Sequence, residues 1–276
     1  MPTVIIHTNL MNFDQVQYVT HTLGKPEKHP THYRINTPKC VDRALLDTLR
    51  DILQLDVNCL PESFQPDTVR LLISDMDSTL ISIECVDEIA DHVGIKSEVS
   101  EITEAAMRGE LDFKSSLQKR VKLLKGLPTH ALECVYEERL TLNPGAEQLI
   151  KGLKEKGIKF ALVSGGFTFF TERLKTALGL DFAHANVLAV ENGQLTGQVE
   201  GEIVTAHTKA QYLLELCEQL NISPQQAIAV GDGANDLEMM QLAGLSVAYH
   251  AKPAVQQQAD TVLNHRGLDA ILDFLM

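Results

Sequence analysis

Two carboxylates, Asp75 and Asp77, stand two residues apart in the segment DMDSTL, directly after the apolar run Val69–Ser74. Two such charges at the end of a buried strand are unfavourable unless a cation neutralises them. Hard oxygen ligands of this kind favour magnesium over softer metals. The alternative is a polar loop whose carboxylates cap the next helix, and the hexamer by itself leaves that alternative open.

A second acidic cluster has the sequence GDGAND and follows the apolar run Ala227–Val230. It adds the carboxylates of Asp232 and Asp236 and the amide of Asn235. A glycine-rich turn would tolerate such residues by chance. Four carboxylates at two strand ends of one sheet favour a shared metal site over two unrelated turns.

A hydroxyl and an amine complete the set of residues that could handle a phosphate ester. Ser164 begins the segment SGGF, in which the backbone N–H groups of Gly165 and Gly166 can hold phosphate oxygens. Lys209 lies near the start of a predicted helix. A Ser-Gly-Gly turn is common and a lone lysine is usually only solvated, so both depend on the acidic clusters for a functional interpretation.

These clusters share one place in the predicted architecture, the end of an apolar strand. Apolar runs of this length, separated by helical segments, predict a doubly wound α/β fold whose parallel sheet is covered on both faces. Ligands of such sheets bind at the carboxyl ends of the strands. The strand candidates are Val69–Ser74, Ile158–Val163, Ala227–Val230, Leu245–Tyr249 and Thr261–Leu263.

Between Glu84 and Leu140 the pattern is helical. The predicted helices are Cys85–Val93, Glu98–Arg108, Phe113–Lys125 and His130–Leu140, with Ser97 and Asp112 as N-caps and Gly94, Gly109 and Gly126 as stops. An all-helical insertion directly after the first acidic strand predicts a cap over the site, at about residues 83–142. Further along, Val187–Val199 predicts a β-hairpin turned at Asn192-Gly193.

Residues 1–65 predict a separate small α+β unit. Its strands are expected at Thr3–His7, Thr31–Ile35 and Leu55–Leu60, and its helices at Phe13–Leu23 and Val41–Leu53. The proline-containing stretch Pro61–Asp67 predicts a linker to the main body, residues 68–276. His29 and His32 have the spacing of a metal pair but lie in a polar loop with no further ligand, which indicates surface histidines.

Composition limits the partners and the compartment. The net charge of −13 argues against nucleic acid and anionic membranes as partners, because both are polyanions. The five cysteines form no CxxC pair, which favours reduced thiols. No basic and apolar leader opens the chain, and no apolar run reaches the ~18 residues of a membrane span. We expect a cytoplasmic monomer or homodimer that acts on a small molecule.

In order and spacing, the motifs resemble the haloacid dehalogenase superfamily of phosphohydrolases. The match is an Asp-x-Asp-x-Thr motif ending at Thr79, then a serine at a strand end, a lysine, and Gly-Asp-Gly-x-Asn-Asp. Within that superfamily the likeness is to the phosphoserine phosphatases, over roughly residues 68–276. It rests on DMDSTL followed by Glu84, on MRGELDF (Met107–Phe113), on KRVKLLKG (Lys119–Gly126), and on SGGF and GDGANDLEMM.

The resemblance implies a Rossmann-like core with a helical cap and a particular role for each residue. Asp75 would be the nucleophile and Asp77 the general acid and base. Magnesium would be held by Asp75, the backbone carbonyl of Asp77, Asp232 and, through water or from behind these ligands, Asp236. The remaining substrate-binding residues would be Ser164, Gly165, Lys209 and Asn235 around the phosphoryl group and Glu84, Met107, Phe113 and Arg120 around the serine moiety.

The implied reaction is the hydrolysis of phosphoserine to serine and phosphate through an aspartyl-phosphate, the last step of serine biosynthesis. Phosphohomoserine, phosphothreonine and other small phosphoesters are the alternative substrates, since only the cap would distinguish them. A phospho-signalling receiver is the rival from another class, although a receiver has no helical insertion after its first strand. A binding protein with a decayed phosphatase body is the third possibility, and the intact acidic set argues against it.

The first 65 residues depart from the family pattern. Many bacterial members carry an N-terminal ACT-like module with the element order βαββαβ, and this sequence predicts one strand fewer. The unit is therefore expected to be a truncated relative of that module, a dimerisation unit or a ligand sensor.

Overall fold

The computed structural model describes residues 1–107 and 110–276, and of Met107 it describes only the backbone. Its N-terminal part is a four-stranded antiparallel sheet with two helices. Strand order is β2-β3-β1-β4. The Asn12 side chain caps α1 and the Asp42 side chain caps α2. The elements are β1 (Thr3–Ile6), α1 (Phe13–Thr22), β2 (Glu27–Lys28), β3 (Tyr33–Asn36), α2 (Arg43–Leu53) and β4 (Val57–Leu60).

The element order of this unit is βαββαβ, so the prediction of one strand too few is wrong. The strand that the sequence did not reveal, β2, is only two residues long and both are exposed. A strand of that length has no alternation of buried and exposed residues for a sequence to display.

The main body is built on a seven-stranded sheet, which confirms the predicted doubly wound α/β fold. Strand order is β11-β10-β9-β5-β6-β7-β8, and only the β7–β8 pair is antiparallel. The strands are β5 (Leu71–Ser74), β6 (Lys159–Phe167), β7 (Phe182–Glu191), β8 (Gln194–Glu200), β9 (Ala227–Gly231), β10 (Leu245–Tyr249) and β11 (Thr261–Leu263).

Helices cover both faces of this sheet. Along β5, Leu72 points into one hydrophobic core while Leu71 and Ile73 point into the other, as the two-residue repeat of a strand requires. The covering helices are α7 (Ala146–Glu155), α8 (Thr168–Leu178), α9 (Ala206–Leu220), α10 (Leu237–Leu242) and α11 (Pro253–Gln256), with a 3₁₀ segment at Leu268–Leu275. β5 is buried on both faces and has a strand on each edge, which places its carboxyl end at the centre of the molecule.

The insertion after β5 is helical, as predicted. Its helices are α3 (Cys85–His92), α4 (Lys96–Met107), α5 (Phe113–Leu123) and α6 (His130–Glu138). Asp112 caps α5 through the Ser115 N–H, whereas Ser97 is not an N-cap. The Ile95 carbonyl already accepts the first helical bond of α4, so Ser97 lies in the first turn. Arg108 and Gly109, where this helix was expected to end, lie outside the described residues.

The predicted hairpin β7–β8 is present, with Asn192 and Gly193 in left-handed conformations at its turn. Its tip is hydrogen-bonded to the loop between α5 and α6. The Gly126 N–H donates to the Leu195 carbonyl (2.8 Å), and the Leu195 N–H donates to the Leu127 carbonyl (2.8 Å). One end of the cap is thereby fixed to the sheet of the main body.

The small unit and the main body meet around a buried carboxylate, Asp273. His7 Nδ1 lies 2.8 Å from Asp273 Oδ2, and the Thr31 hydroxyl donates to Oδ1 at 2.6 Å. His32 Nδ1 is 3.2 Å from the same carboxylate, and the His32 side chain is fully buried. The expectation that His32 is a surface histidine is therefore wrong, because its loop packs on a residue near the other end of the chain.

Two further side chains of the small unit bind the backbone of the main body. Asn58 pairs with Val262 in β11, donating to its carbonyl (2.9 Å) and accepting from its N–H (2.8 Å). The Asp56 carboxylate accepts three consecutive backbone N–H groups, those of residues 264–266. In the predicted linker Pro61–Asp67, Phe64 is buried in the main core. Among the described residues, the structure contains no helix with both the length and the apolar character to cross a membrane.

We predict that Asp273→Ala lowers the free energy of unfolding by about 1–3 kcal/mol, because buried donors lose their acceptor. Burial alone would raise the pKa of Asp273, but hydrogen bonds from His32, His7 and Thr31 outweigh it and hold that pKa well below its usual range. The stabilisation is therefore complete above pH ~4 and is lost as the pH falls further, toward the folded-state pKa.

Urea unfolding at pH 7 and at pH 3 measures the effect, with Asp51→Ala, an exposed position on α2, as the control. A loss no greater than that of the control at pH 7 would show that Asp273 does not stabilise the contact.

Candidate active site

Asp75 lies at the carboxyl end of β5, between the ends of β6 and β9. The Asp75 N–H donates to the Val230 carbonyl of β9 (3.0 Å), and its side-chain Oδ1 accepts the Met76 N–H (2.7 Å). The strand order thus brings the predicted serine of β6 and the second acidic cluster to either side of Asp75. This confirms that the unusual clusters share one edge of one sheet.

The turn after Asp75 orients Asp77. Ser78 adopts a left-handed conformation (φ 55°), and its hydroxyl donates to Glu84 Oε1 (2.7 Å). Asp77 Oδ1 accepts the backbone N–H of Cys85 (3.1 Å) at the start of α3. Asp77 Oδ2 lies 3.4 Å from the Ser164 hydroxyl. A Cβ at Gly166 would be 2.7 Å from that same oxygen, so this position requires glycine.

Lys209 is buried between two carboxylates. Its Nζ lies 2.8 Å from Asp75 Oδ1 and 2.8 Å from Asp236 Oδ1. Burial alone would lower the pKa of Lys209, but the charges of Asp236 and Asp75 outweigh it and raise that pKa. Lys209 therefore remains a cation and fixes the separation of the two acids.

Three carboxylates converge beside this lysine. One oxygen from each of Asp75, Asp232 and Asp236 lies within 4.8 Å of the others. Asp236 is further held by the Gly233 N–H (3.1 Å), and Asp232 lies 3.4 Å from the Thr79 hydroxyl. The single charge of Lys209 does not balance three carboxylates.

The pKa values of these acids reflect the excess of negative charge in the cluster. Burial, and then the charge of Asp236, raise the pKa of Asp75 well above its ordinary value, and Lys209 acts against them. Burial and Asp236 raise the pKa of Asp232 to about 6. A divalent cation in this cluster would return both groups to the ionised form, and a donor set made only of oxygen suits a hard cation.

Asp77 differs from the cluster acids. Burial, followed by the nearby charge of Glu84, raises the pKa of Asp77 to about 7. A carboxyl group with that pKa can both give and take a proton near neutral pH, which is what a general acid and base requires.

A cavity of about 320 Å³ joins the acidic cluster to the cap. At its floor it reaches Asp75, Asp77 and Asp232, and at its roof it reaches Glu84 and Arg120. The Phe113 ring lies over Gly165, where a Cβ would come within 2.8 Å of the ring tip, so a larger residue there would displace the ring. Asn235 and Gly165 also line the cavity.

Not every predicted residue faces this cavity. Ser164, Lys209 and Asp236 lie beneath its floor and act on the lining groups through the contacts described above. Met107 ends α4, but its side chain is outside the described part of the structure, so its predicted place near the substrate stays a prediction.

Several site residues escaped the sequence analysis. Asp87 and Lys252 line the cavity, and the Lys252 N–H donates to the Asp232 carbonyl (3.1 Å). Asn186 in β7 donates to the Gly165 carbonyl (2.8 Å) and so holds the SGGF segment, which forms the last four residues of β6 and not the turn suggested by its sequence. Only Asp87 left a signal in the sequence, since it follows Glu84 by three residues and therefore shares its helix face.

The family model for haloacid dehalogenase-like hydrolases matches residues 69–244 of this chain. The chain belongs to the haloacid dehalogenase-like hydrolases. Among the relatives of this hydrolase, the phosphoserine phosphatase of Polaromonas sp. (strain JS666 / ATCC BAA-500) is 54% identical over 226 residues, which is 80% of this chain and 96% of the relative. The likeness to phosphoserine phosphatases noted in the sequence is thus confirmed.

Solved structures of related proteins include one that matches this hydrolase over its whole length. A haloacid dehalogenase family hydrolase from Salmonella enterica subsp. enterica serovar Typhi has a TM-score of 0.90 and 34% identity, with 100% of this chain and 98% of that chain covered. A phosphoserine phosphatase solved as a phospho-aspartyl intermediate analogue has a TM-score of 0.71 and 44% identity. That comparison covers 75% of this chain and 99% of the other.

We predict that Lys209→Met destabilises the metal-free hydrolase by about 3–5 kcal/mol, because it leaves buried carboxylates without their cation. The loss should be smaller at pH 5 than at pH 8. Asp75 already has a raised pKa, so protonation at lower pH removes one of the uncompensated charges.

Urea unfolding in the presence of a chelator tests this at both pH values. Lys151→Met is the control, because Lys151 is 80% exposed in a surface pair with Glu155. An equal loss at pH 5 and pH 8 would contradict the electrostatic explanation.

Proposed function

We propose that this hydrolase converts phosphoserine to serine and phosphate through an aspartyl-phosphate on Asp75. The observation that carries the proposal is the single cavity described above, which places the acids of β5 and β9 opposite Glu84 and Arg120. A phosphate ester bound at the floor would direct its organic part to a carboxylate and a guanidinium. The names of the relatives, phosphoserine phosphatases at 44–54% identity, support the same substrate.

The reaction has two displacements. In the first, a carboxylate oxygen of Asp75 bonds to phosphorus as the ester P–O bond breaks, and Asp77 gives its proton to the leaving oxygen. In the second, water attacks phosphorus, the P–O bond to Asp75 breaks, and Asp77 takes the proton from the water. The pKa of Asp77 near 7 supports both roles.

The phosphoryl oxygens would be held by residues around Asp75. Gly165 and Asn235 line the cavity and would offer a backbone N–H and an amide. Ser164 and Lys209 would add a hydroxyl and a positive charge from beneath its floor, where they contact Asp77 and Asp75. Mg²⁺ would be held by the carboxylates of Asp75 and Asp232 together with the Asp77 carbonyl, with Asp236 acting through water or from behind these ligands. Its charge would stabilise the negative charge of the transferring group. The all-oxygen cluster and the raised pKa of Asp75 support this choice of ion.

The cap would recognise the amino-acid part. Glu84 suits the ammonium group, and Arg120 can grip the carboxylate with two parallel hydrogen bonds. Phe113 and Met107 would help to exclude water from the closed site.

The remaining expectations stand as proposals about the whole protein. We divide the chain into a small ACT-like unit at 1–65 and a phosphatase domain at 68–276 with a cap at about 83–142. The two separate sheets and the match of a solved phosphatase to 75% of this chain support that division. The names of the relatives support a role in serine biosynthesis, and the free cysteines fit the expected cytoplasmic location. A monomer or homodimer stays the expected state of the protein.

We predict that Asp75→Asn lowers phosphoserine turnover by roughly 10⁴-fold or more while the fold is retained, because the amide cannot form the covalent intermediate. Asp77→Asn should cost roughly 10²–10⁴-fold, the usual contribution of proton transfer. Steady-state release of phosphate with Mg²⁺, and again with a chelator, measures both the variants and the metal requirement. Turnover by Asp75→Asn near the wild-type rate, or full activity in chelator, would refute the mechanism.

We predict that Arg120→Ala lowers kcat/KM for phosphoserine by about 30-fold or more, since a buried carboxylate left unpaired costs about 2–5 kcal/mol. An aryl phosphate, which has neither the ammonium nor the carboxylate, should lose far less. The two substrates are compared on the same enzyme preparation, so the amount of active protein cancels. A proportional loss with both substrates would remove the support for phosphoserine.

A further inference from the structure

Asp87 is an acidic residue of the cavity wall that none of the steps above uses. It lies on α3 one turn after Glu84 and is half-buried. Its Oδ1 is fully enclosed and has no hydrogen-bond partner among the described residues. A buried carboxylate oxygen without a partner is unfavourable, so its retention at a cavity wall needs a reason.

Arg120, on α5, also has a buried polar atom without a hydrogen-bond partner among the described residues. It lines the same cavity from α5, and its Nε is enclosed without a hydrogen-bond partner in the described part of the chain. The planar fork of an arginine binds a carboxylate with two hydrogen bonds only in a matching orientation, so a neighbouring group that fixes this orientation favours binding. Within the described part of the chain, the unpartnered Nε of Arg120 leaves one donor for such a group.

Asp87 interacts electrostatically with Arg120, whereas Glu84 acts on the acids below the cap. Burial raises the pKa of Asp87, and the Arg120 guanidinium is the largest influence in the opposite direction, ahead of Lys96. The charge of Glu84 instead raises the pKa values of Asp77 and Asp232, below the cap. Glu84, at the N-cap of α3, and Asp87, within α3, thus act on different parts of the cavity.

We propose that Asp87 is a positioning residue that holds the guanidinium of Arg120 toward the carboxylate end of the substrate. This inference rests on the proposed function. Glu84 would then recognise the ammonium alone, and the selectivity for an α-carboxylate would depend on the pair Asp87 and Arg120. A carboxylate that bound the ammonium together with Glu84 would be the competing role.

The test is a double-mutant cycle with Asp87→Asn and Arg120→Ala. We expect Asp87→Asn to lower kcat/KM for phosphoserine, relative to an aryl phosphate, by about 10-fold. In the Arg120→Ala background the same change should have an effect of less than about 2-fold, because Asp87 acts through Arg120. An undiminished 10-fold loss in that background would overturn the proposal.

Two simpler substrates separate the competing roles. Phosphoglycolate carries a carboxylate and no ammonium, and phosphoethanolamine carries an ammonium and no carboxylate. Asp87→Asn should impair phosphoglycolate hydrolysis and spare phosphoethanolamine in comparison, and the reverse pattern would assign Asp87 to the ammonium. If Asp87 had a purely structural role, Asp87→Asn would lower kcat/KM for all substrates in the same proportion, and this result would also count against the proposal.

Controls keep the result interpretable. Asp91→Asn changes another acid of α3, one that pairs with Arg139 away from the cavity, and should leave the substrate ratios unchanged. Asp87→Glu keeps the charge and should retain part of the preference, which provides a second variant if Asp87→Asn folds poorly. Wild-type enzyme without phosphoserine turnover would refute the proposed function itself, whereas failure of this inference would appear only in the variant ratios.

Discussion

The charge cluster of Asp75, Asp232, Asp236 and Lys209 is the constraint on which the rest of this molecule depends. Three carboxylates with one ammonium among them are unstable in a protein interior unless their separations are fixed and a further cation can join them. The parallel sheet supplies the fixed separations, because β5 lies between β6 and β9 and each of these strands ends beside Asp75. Glycine at 166 keeps the space that Asp77 needs.

In the proposed reaction the cluster would provide reactivity without selectivity, since any phosphate ester could reach Asp75. Selectivity would then have to come from the cap, which is attached to the main body beside Asp77 and at the hairpin β7–β8. Through Ser78 and Cys85, the first turn after β5 fixes both Glu84 and Asp77. At the other end, backbone hydrogen bonds from the hairpin β7–β8 hold the loop after α5, the helix that carries Arg120. In the proposed complex, the same sheet would therefore position both ends of the substrate.

Sequence reasoning succeeded where a property is local and failed where a distant segment decides it. The acidic strand ends, the capping of α5 by Asp112 and the hairpin turn all depend on neighbours within a few residues. His32 is buried because Asp273, near the far end of the chain, lies over it, and Asn186 is a site residue only because β7 pairs with β6. Lys252 likewise meets Asp232 only through a backbone hydrogen bond between segments about 20 residues apart. Such relations have no spacing that a sequence could display.

The short helix α11 connects the small unit to the loop that carries Asp232. Arg43, in the small unit, donates to the backbone carbonyls of Gln256 and Gln257 at the end of α11. At the start of the same helix, the Lys252 N–H holds the Asp232 carbonyl. Helix α11 is thus hydrogen-bonded at its start to Asp232 and at its end to Arg43 of the small unit. A displacement of the small unit relative to the main body would therefore reach the backbone of an acid of the cluster through one short helix.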